Sequence, residues 1–141
     1  MATEARRRRV GIYNFKERFA AAILSGAKRQ TIWAMRKRPD RPGNTLHLYT
    51  GLRTKKAKLL MRATCVHVEP IHIRETVTPP TVGRPTTGYV VILGGNPLPT
   101  GMLDVFARAE GFEDFAEMRV FWKEQKLAFP WWGHVIHWRK P

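Results

Sequence analysis

The segment SGAKRQTIW at residues 25–33 is a glycine-containing basic loop with a lysine and a threonine three positions apart, Lys28 and Thr31. Its surroundings are strongly basic. Residues 1–62 contain 17 Lys and Arg against 3 Asp and Glu, and the remaining residues contain 8 of each. The net charge of +14 therefore belongs to the half of the chain that carries this loop. Because a one-sided positive field attracts polyanions, nucleic acid is the first partner that the sequence suggests.

The length of 141 residues suits one domain with a real core and is too short for two comfortable ones. With 43% hydrophobic and 11% aromatic residues, the chain is not a disordered polycation. We expect a basic N-terminal tail at residues 1–10 and a single domain at residues 11–141. The four arginines at 6–9 are either a solvated tail or an arm that contacts phosphates.

The composition also indicates a compartment. The lone Cys65 excludes an intrachain disulfide and points to a reducing environment. No apolar run approaches the roughly 20 residues of a membrane span. The N-terminal residues have no apolar stretch of the signal-peptide type. We therefore expect a cytoplasmic protein that does not associate with a membrane.

Hydrophobic periodicity and turn residues predict the elements that must position the basic loop. Helices are predicted at residues 14–25, 100–110 and 113–125, and strands at 45–50, 59–68, 71–77, 89–93 and 134–139. Asn14 and Glu17 resemble a capping box, Gly26 is placed to end the first helix, and Pro70 is expected to end or bend a strand. Residues 26–45 are predicted to be loop.

This order of elements predicts an α+β domain. Strands that are not separated by helices favour antiparallel pairing, and a small β-barrel would remove exposed strand edges. We therefore predict a small barrel flanked by helices.

Five short segments, in this order and spacing, resemble the ASCH domain family, whose members have a PUA-like barrel. The segments are FKERF at 15–19, ILSGAK at 23–28, TI at 31–32, PGNTL at 42–46 and AEGF at 109–112. The resemblance covers residues 12–138 and implies a PUA-like fold. The position after the Thr-Ile pair, commonly Arg in the family, is Trp33 here.

The resemblance also implies an activity. Some ASCH proteins are amidohydrolases that remove the acetyl group from N4-acetylcytidine with a lysine, a threonine and a glutamate. By motif position these residues are Lys28, Thr31 and Glu110 in this chain. Another branch of the family has been linked to ribonuclease action, and many members have no assigned activity.

Hydrolysis of an amide requires an activated nucleophile and stabilisation of the developing oxyanion. Thr31 can be the nucleophile if Lys28 removes its proton, which requires a lowered lysine pKa; neighbouring positive charges and burial both act in that direction. Glu110 can orient the lysine or shuttle the proton. This chemistry needs no metal or cofactor. The alternative is that these residues are a surface charge, a turn hydroxyl and a helix-end glutamate.

Two groups of basic residues flank the predicted strand at 45–50 and are candidates for contacts with RNA phosphates. The first group is Arg29, Arg36, Lys37, Arg38 and Arg41, and the second is Arg53, Lys55, Lys56 and Lys58. A strand between two basic loops can place both on the same rim of a barrel. Trp33 and Tyr49 offer flat faces for an unstacked base, with packing in the core or at the rim as the alternative.

The five histidines do not form a metal-binding pattern. They are His47, His67, His72, His134 and His137, and most fall on predicted strands. His134 and His137 are three apart on a strand and should point to opposite faces. No cysteine pair or carboxylate spacing completes a zinc site, so we expect no metal.

These observations lead to one principal hypothesis and two alternatives. The principal hypothesis is an ASCH-type protein that binds RNA or a modified nucleoside and is a candidate amidohydrolase of the N4-acyl amide of acetylated cytidine. The first alternative is a non-catalytic RNA-binding module. The second is a weak single-strand ribonuclease.

Overall fold

A seven-stranded mixed sheet and three short helices make up the fold in the computed structural model, which describes residues 9–78, 83 and 86–141. Most of the expected basic tail lies outside the described residues. The strands are β1 (Val10–Phe15), β2 (Gln30–Ala34), β3 (Thr45–Thr50), β4 (Lys58–Thr78), β5 (Thr86–Leu93), β6 (Asn96–Pro97) and β7 (Trp131–Arg139). The helices are α1 (Ala20–Ser25), α2 (Leu103–Ala109) and α3 (Phe115–Glu124).

Strand β4, with 21 residues, organises the sheet. Its first part pairs with β3, its middle with β7 and its last part with β5, all antiparallel. At the margins β1 pairs with β3 in parallel, β2 pairs with β7 and β6 pairs with β5. The prediction of a domain that mixes helices and sheet is therefore confirmed in this general form.

Backbone pairing does not close the sheet into a barrel. Strands β1 and β2 end the series β1-β3-β4-β7-β2, and no ladder joins these two strands in the part of the chain that the structure describes. Side chains meet across this gap instead. The rings of Tyr13 on β1 and Trp33 on β2 pack edge to face with centroids 4.9 Å apart.

Pro70 does not end a strand, which was one of the two outcomes predicted for it, because β4 continues through it. The Pro70 carbonyl accepts a hydrogen bond from the Gly94 amide at 2.9 Å. The nitrogen and carbonyl of one residue in an extended strand point to the same side, so the missing N–H faces β5 and not β7. The β4–β5 ladder begins one residue later at Ile71, and proline therefore removes no ladder hydrogen bond.

The predicted capping box at Asn14 and Glu17 is wrong. Asn14 lies in β1, and its side-chain oxygen accepts a hydrogen bond from the Leu52 amide at 3.0 Å. A short 3-10 turn, Glu17–Phe19, leads into α1 without a side-chain cap. The helix ends as predicted, with Gly26 in the left-handed conformation at φ 88°.

The predicted loop at residues 26–45 contains strand β2. This strand pairs antiparallel with β7, so that Thr31 lies opposite Ile136 and Trp33 opposite His134. The β-branched pair Thr31 and Ile32 favours an extended backbone, and pairing with β7 supplies the hydrogen bonds. The candidate residues Thr31 and Trp33 are therefore on a strand.

The helices and the sheet share one hydrophobic core. Leu46 and Leu48 of β3, Val135 of β7, Ile23 of α1 and Met118 of α3 are fully buried. The pair of helices near the C-terminus is confirmed as α2 and α3, although each is shorter than predicted. The helices within the described ranges are too short or too polar to traverse a lipid bilayer.

Candidate functional site

A cavity of about 520 Å³ lies between β2, the end of β1 and helix α3. Lys28, Thr31 and Glu110, the three residues proposed for catalysis, all line it. Much of the remaining wall is aromatic and consists of Phe15, Phe19, Trp33, Phe112, Phe121, Trp122 and Trp131. A largely apolar cavity with a few polar groups is the usual form of a small-molecule site.

The turn after α1 directs Lys28 into this cavity. Gly26 ends the helix in the left-handed conformation, and the Lys28 amide donates to the Ala22 carbonyl at 2.9 Å. The side chain then runs inward, and only 2% of Lys28 is exposed. Its ammonium nitrogen is 5.1 Å from the centroid of the Phe19 ring and 5.8 Å from that of Phe15, which provides weak cation–π stabilisation.

The Lys28 ammonium group meets Glu110 across the cavity wall. Its Nζ donates to the Glu110 backbone carbonyl at 2.5 Å and is 3.9 Å from the carboxylate oxygen Oε1. Burial lowers the pKa of Lys28 below its ordinary 10.5, and the negative charge of Glu110 opposes this shift. The lowered pKa that the sequence hypothesis required is therefore present, with burial as its main cause.

Glu110 is buried at the C-terminal end of α2, and its carboxylate holds strand β2. Oε1 accepts a hydrogen bond from the Ile32 amide at 2.9 Å, and Oε2 accepts one from the Gln30 side-chain amide at 2.7 Å. Both oxygens are thus used for positioning. Glu110 joins α2, β2 and Lys28 into one unit, a role closer to orienting the lysine than to shuttling a proton.

Gly111 allows α2 to end beside Lys28. Its φ of 99° belongs to the left-handed region, and a Cβ there would come within 3.0 Å of Phe19 Cδ1 and 3.2 Å of Lys28 Cδ. A side chain at this position would therefore add backbone strain and crowd the lysine. Gly111 and Gln30 are parts of the site that the sequence did not identify.

Thr31 is 6% exposed and lies on β2, one residue after Gln30. Its Oγ1 donates only a long hydrogen bond, 3.4 Å, to the Ile32 carbonyl. Thr31 and Lys28, both within the described ranges, form no hydrogen bond with each other. The hydroxyl is weakly engaged and borders the cavity, and neither it nor Lys28 is the surface residue that the alternative hypothesis assumed.

The residues predicted to bind RNA do not share one rim. The first basic group lies around β2 and before β3, whereas the second follows the end of β3. The two ends of a strand lie at opposite ends of the sheet. The prediction that both basic groups share one rim is therefore wrong. Most of these side chains are exposed, namely Arg29, Lys37, Arg38, Arg41, Arg53, Lys55, Lys56 and Lys58.

Arg36 differs from the other basic residues because it is part of the packing. Its Nη2 donates to the Ile12 carbonyl at 3.0 Å, and its guanidinium carbon is 4.2 Å from the centroid of the Tyr13 ring and 5.4 Å from that of Trp33. Its Nη1 is also 3.8 Å from Asp40 Oδ2. Arg36 therefore packs across the gap between β1 and β2 and contacts both strands.

A buried polar network beneath Arg36 was not predicted. The Tyr13 hydroxyl donates to Asp40 Oδ2, and the Asn44 side-chain amide donates to Oδ1 at 3.0 Å. Burial and the Asp40 carboxylate raise the pKa of Tyr13, so its hydroxyl stays protonated as the donor. The network fixes the turn before β3. Its signal in the sequence is Asp40, an isolated acid among basic residues.

The two candidate stacking residues lie in different places. Trp33 lines the cavity and packs against Tyr13 and Phe15. Tyr49 is half-buried on β3, does not line the cavity, and its ring centroid is 6.4 Å from that of His47. The two rings therefore do not line one common cavity.

Two of the histidines share a carboxylate. His67 Nε2 is 2.7 Å and His137 Nε2 is 3.6 Å from Glu69 Oε2. His72 stacks on Trp132, with ring centroids 3.6 Å apart. Within the described residues, no group of three or more His, Cys, Asp or Glu is arranged to hold a metal ion.

Comparison of the chain with protein-family models, with curated proteins and with solved structures found no match.

Proposed function

We propose that this protein is an ASCH-type, PUA-like domain that hydrolyses the N4-acyl amide of an acylated cytosine in the cavity. One observation carries the proposal. A fully buried lysine with a lowered pKa is held against Glu110 on the wall that also carries the weakly engaged Thr31 hydroxyl. A buried base next to a hydroxyl is the arrangement that activates a nucleophile without metal.

The reaction proceeds by acyl transfer to Thr31. Neutral Lys28 accepts the Thr31 proton, and Oγ1 attacks the acyl carbonyl to form a tetrahedral intermediate. The resulting ammonium returns the proton to the departing N4 nitrogen as the C–N bond breaks. Water, deprotonated by Lys28, then attacks the threonine ester. The Lys28 ammonium gives its proton to the departing Thr31 Oγ1, so that the carboxylic acid is released and both the hydroxyl and the neutral amine are regenerated.

The volume and lining of the cavity suit an aromatic substrate. Its volume of about 520 Å³ falls within the range of small-molecule sites. Trp33 and Trp131 provide flat apolar surfaces on its wall, and Gln125 adds a polar side chain able to donate and accept hydrogen bonds. A pyrimidine ring has matching chemistry, an apolar face and a polar edge.

The direct test is incubation with N4-acetylcytidine, followed by chromatographic detection of cytidine. Lys28→Met should abolish release because it removes the base at similar volume, whereas Lys37→Met, a change at an exposed lysine, should not. Thr31→Ser keeps a hydroxyl and should retain turnover, and Thr31→Val should lose it. Equal turnover in the wild type and Thr31→Val would contradict the nucleophile assignment.

RNA binding is a second function that a specific observation favours. Both ends of β3 carry exposed cations, and the whole positive excess lies in this half of the chain. Single-stranded RNA should bind with an affinity that falls steeply as salt rises, since bound phosphates release counterions. Fluorescence anisotropy with a labelled uridine oligonucleotide at several salt concentrations tests this, and an affinity insensitive to salt would contradict it.

A further inference from the structure

The side of β1 and β3 that faces away from the core presents a continuous surface, together with the first part of β4. Strand β1 alternates, with Val10, Ile12 and Asn14 exposed and the residues between them buried. Strand β3 alternates in the same way, with His47 and Tyr49 partly accessible and Leu46, Leu48 and Thr50 buried. We call the surface formed by Val10, Ile12, His47, Tyr49 and Arg62 the outer face.

The strand register sets these side chains in rows. Ile12 pairs with His47, and His47 pairs with Arg62. Tyr49 occupies the neighbouring row, beside Asn14. Ile12 and Val10 are each 51% exposed, so apolar, aromatic and cationic groups lie side by side and open to solvent. This is the combination on which unstacked bases and their phosphates are held.

Charge favours a polyanion on this surface. Arg38 and Arg41 precede β3, and the basic turn at residues 51–57 follows it, so cations lie at both ends of a strand about 20 Å long. Between residues 9 and 68 the only acids are Glu17 and Asp40. Asp40 is 4% exposed, and its carboxylate accepts hydrogen bonds from Tyr13 and Asn44.

The outer face and the cavity are separate but adjacent. None of the five outer-face residues lines the cavity. Asn14 does line it, and its side chain accepts the hydrogen bond from Leu52 in the basic turn. The turn is thereby fixed at the edge of the cavity, at the end of the outer face that carries Tyr49.

We propose that the outer face is a track for single-stranded RNA that ends at the cavity. Bases stack on Tyr49 and His47, Ile12 supports them, and Arg62 with the cations at the two ends of β3 contacts phosphates. The inference rests on the proposed RNA binding. It assigns that binding to a defined surface and makes a nucleotide within a strand, rather than a free nucleoside, the natural occupant of the cavity.

The test measures affinity for a labelled uridine oligonucleotide by fluorescence anisotropy. Tyr49→Ala should weaken binding about tenfold, the effect of one lost stacking interaction, and Tyr49→Phe should restore it. Arg62→Ala should weaken binding and reduce the magnitude of the salt slope by about 0.7, the value for one phosphate on a single strand. Arg74→Ala is the matched control, because Arg74 is exposed on the same strand outside the outer face.

The outcomes separate this inference from the function on which it rests. If the wild type binds no RNA, the proposed RNA binding is wrong. If it binds RNA and both Arg62→Ala and Tyr49→Ala match Arg74→Ala, only the track is wrong. If Ile12→Asp converts a wild-type dimer to a monomer without loss of RNA affinity, the outer face belongs to a second copy of the chain and the proposal is overturned.

Discussion

At the scale of single residues, the buried amine of Lys28 determines how activity should depend on pH. In the proposed mechanism only the unprotonated amine of Lys28 acts as a base, and burial lowers its pKa below the ordinary 10.5. The rate of amide hydrolysis should therefore rise with pH through the folded-state pKa of Lys28. The measurement is kcat/KM for N4-acetylcytidine across the pH range.

Glu110→Gln tests how burial and the Glu110 charge together set the pKa of Lys28, and it predicts the direction in which the pH profile moves. The Glu110 charge raises the pKa of Lys28 against the effect of burial, so its removal should shift the rising limb of the profile to lower pH. Glutamine keeps a carbonyl oxygen for the Ile32 amide. A limb that moves to higher pH would contradict this electrostatic account.

The hydroxyl of Tyr13 stabilises the fold through its hydrogen bond to the buried Asp40 carboxylate. Tyr13→Phe leaves the buried Asp40 carboxylate without one of its donors and should lower the free energy of unfolding by about 1.5–3 kcal/mol. Urea denaturation provides the value. Tyr49→Phe is the matched control, because the hydroxyl of Tyr49 has no hydrogen-bond partner among the described residues. Equal losses in the two variants would show that the Tyr13–Asp40 hydrogen bond contributes nothing.

At the scale of elements, the junction between α2 and the segment that follows it holds the site together. Gly111 has φ 99° and its position faces Phe19 and Lys28, whereas Gly43 has φ 95° with no atom within 4 Å. Gly111→Ala and Gly43→Ala should both lose about 1–2 kcal/mol through backbone strain. Only Gly111→Ala should also reduce turnover, because only it displaces Lys28. Thermal melts and cytidine release, measured together, check this.

The elements that the sequence predicted well are those whose local pattern agrees with their environment. On β3, Leu46 and Leu48 alternate with polar neighbours because only one face of the strand is buried. Helix α1 ends at Gly26 because glycine readily adopts the left-handed backbone conformation that ends a helix. Strand β1 was missed since Phe15, Phe19 and Ile23 also fit a helical period. Strand β2 was missed because its partner β7 is about a hundred residues away in the sequence. The local residue pattern around β2 contains no information about this pairing.

The candidate site was predicted in part. Position within a motif identified Lys28, Thr31 and Glu110, and the structure brings all three to one cavity. The contacts of Arg36 and the support from Gln30 depend on pairing between distant strands and helices. No spacing along the chain indicates such contacts.

At the scale of the whole molecule, the uneven distribution of charge governs the expected binding of RNA. Neutralising Lys37, Arg38 and Arg41 to Gln should weaken binding for every RNA sequence tested and flatten its salt dependence, because lost phosphate contacts release fewer counterions. Arg36 is left unchanged because it packs on Tyr13. Anisotropy titrations at several salt concentrations provide the slope. An unchanged slope would show that these cations do not contact RNA.

A neutralisation of the same size elsewhere serves as the control. Lys123, Lys126 and Arg74 are exposed residues of the half of the chain whose charges balance. Their replacement by Gln removes the same net charge from the molecule but none from the ends of β3. If the salt dependence of RNA affinity falls by the same amount in both triple variants, the decrease comes from the net charge of the molecule and not from phosphate contacts in the basic half.

The most direct test of the account is to trap the acyl group on Thr31. Wild-type protein mixed with N4-acetylcytidine and quenched in acid should yield a peptide with one acetyl group on Thr31, together with free cytidine. Thr31→Val should yield neither, and Lys28→Met should show no acylation although Thr31 is present. Release of cytidine by Thr31→Val at the wild-type rate would contradict the account.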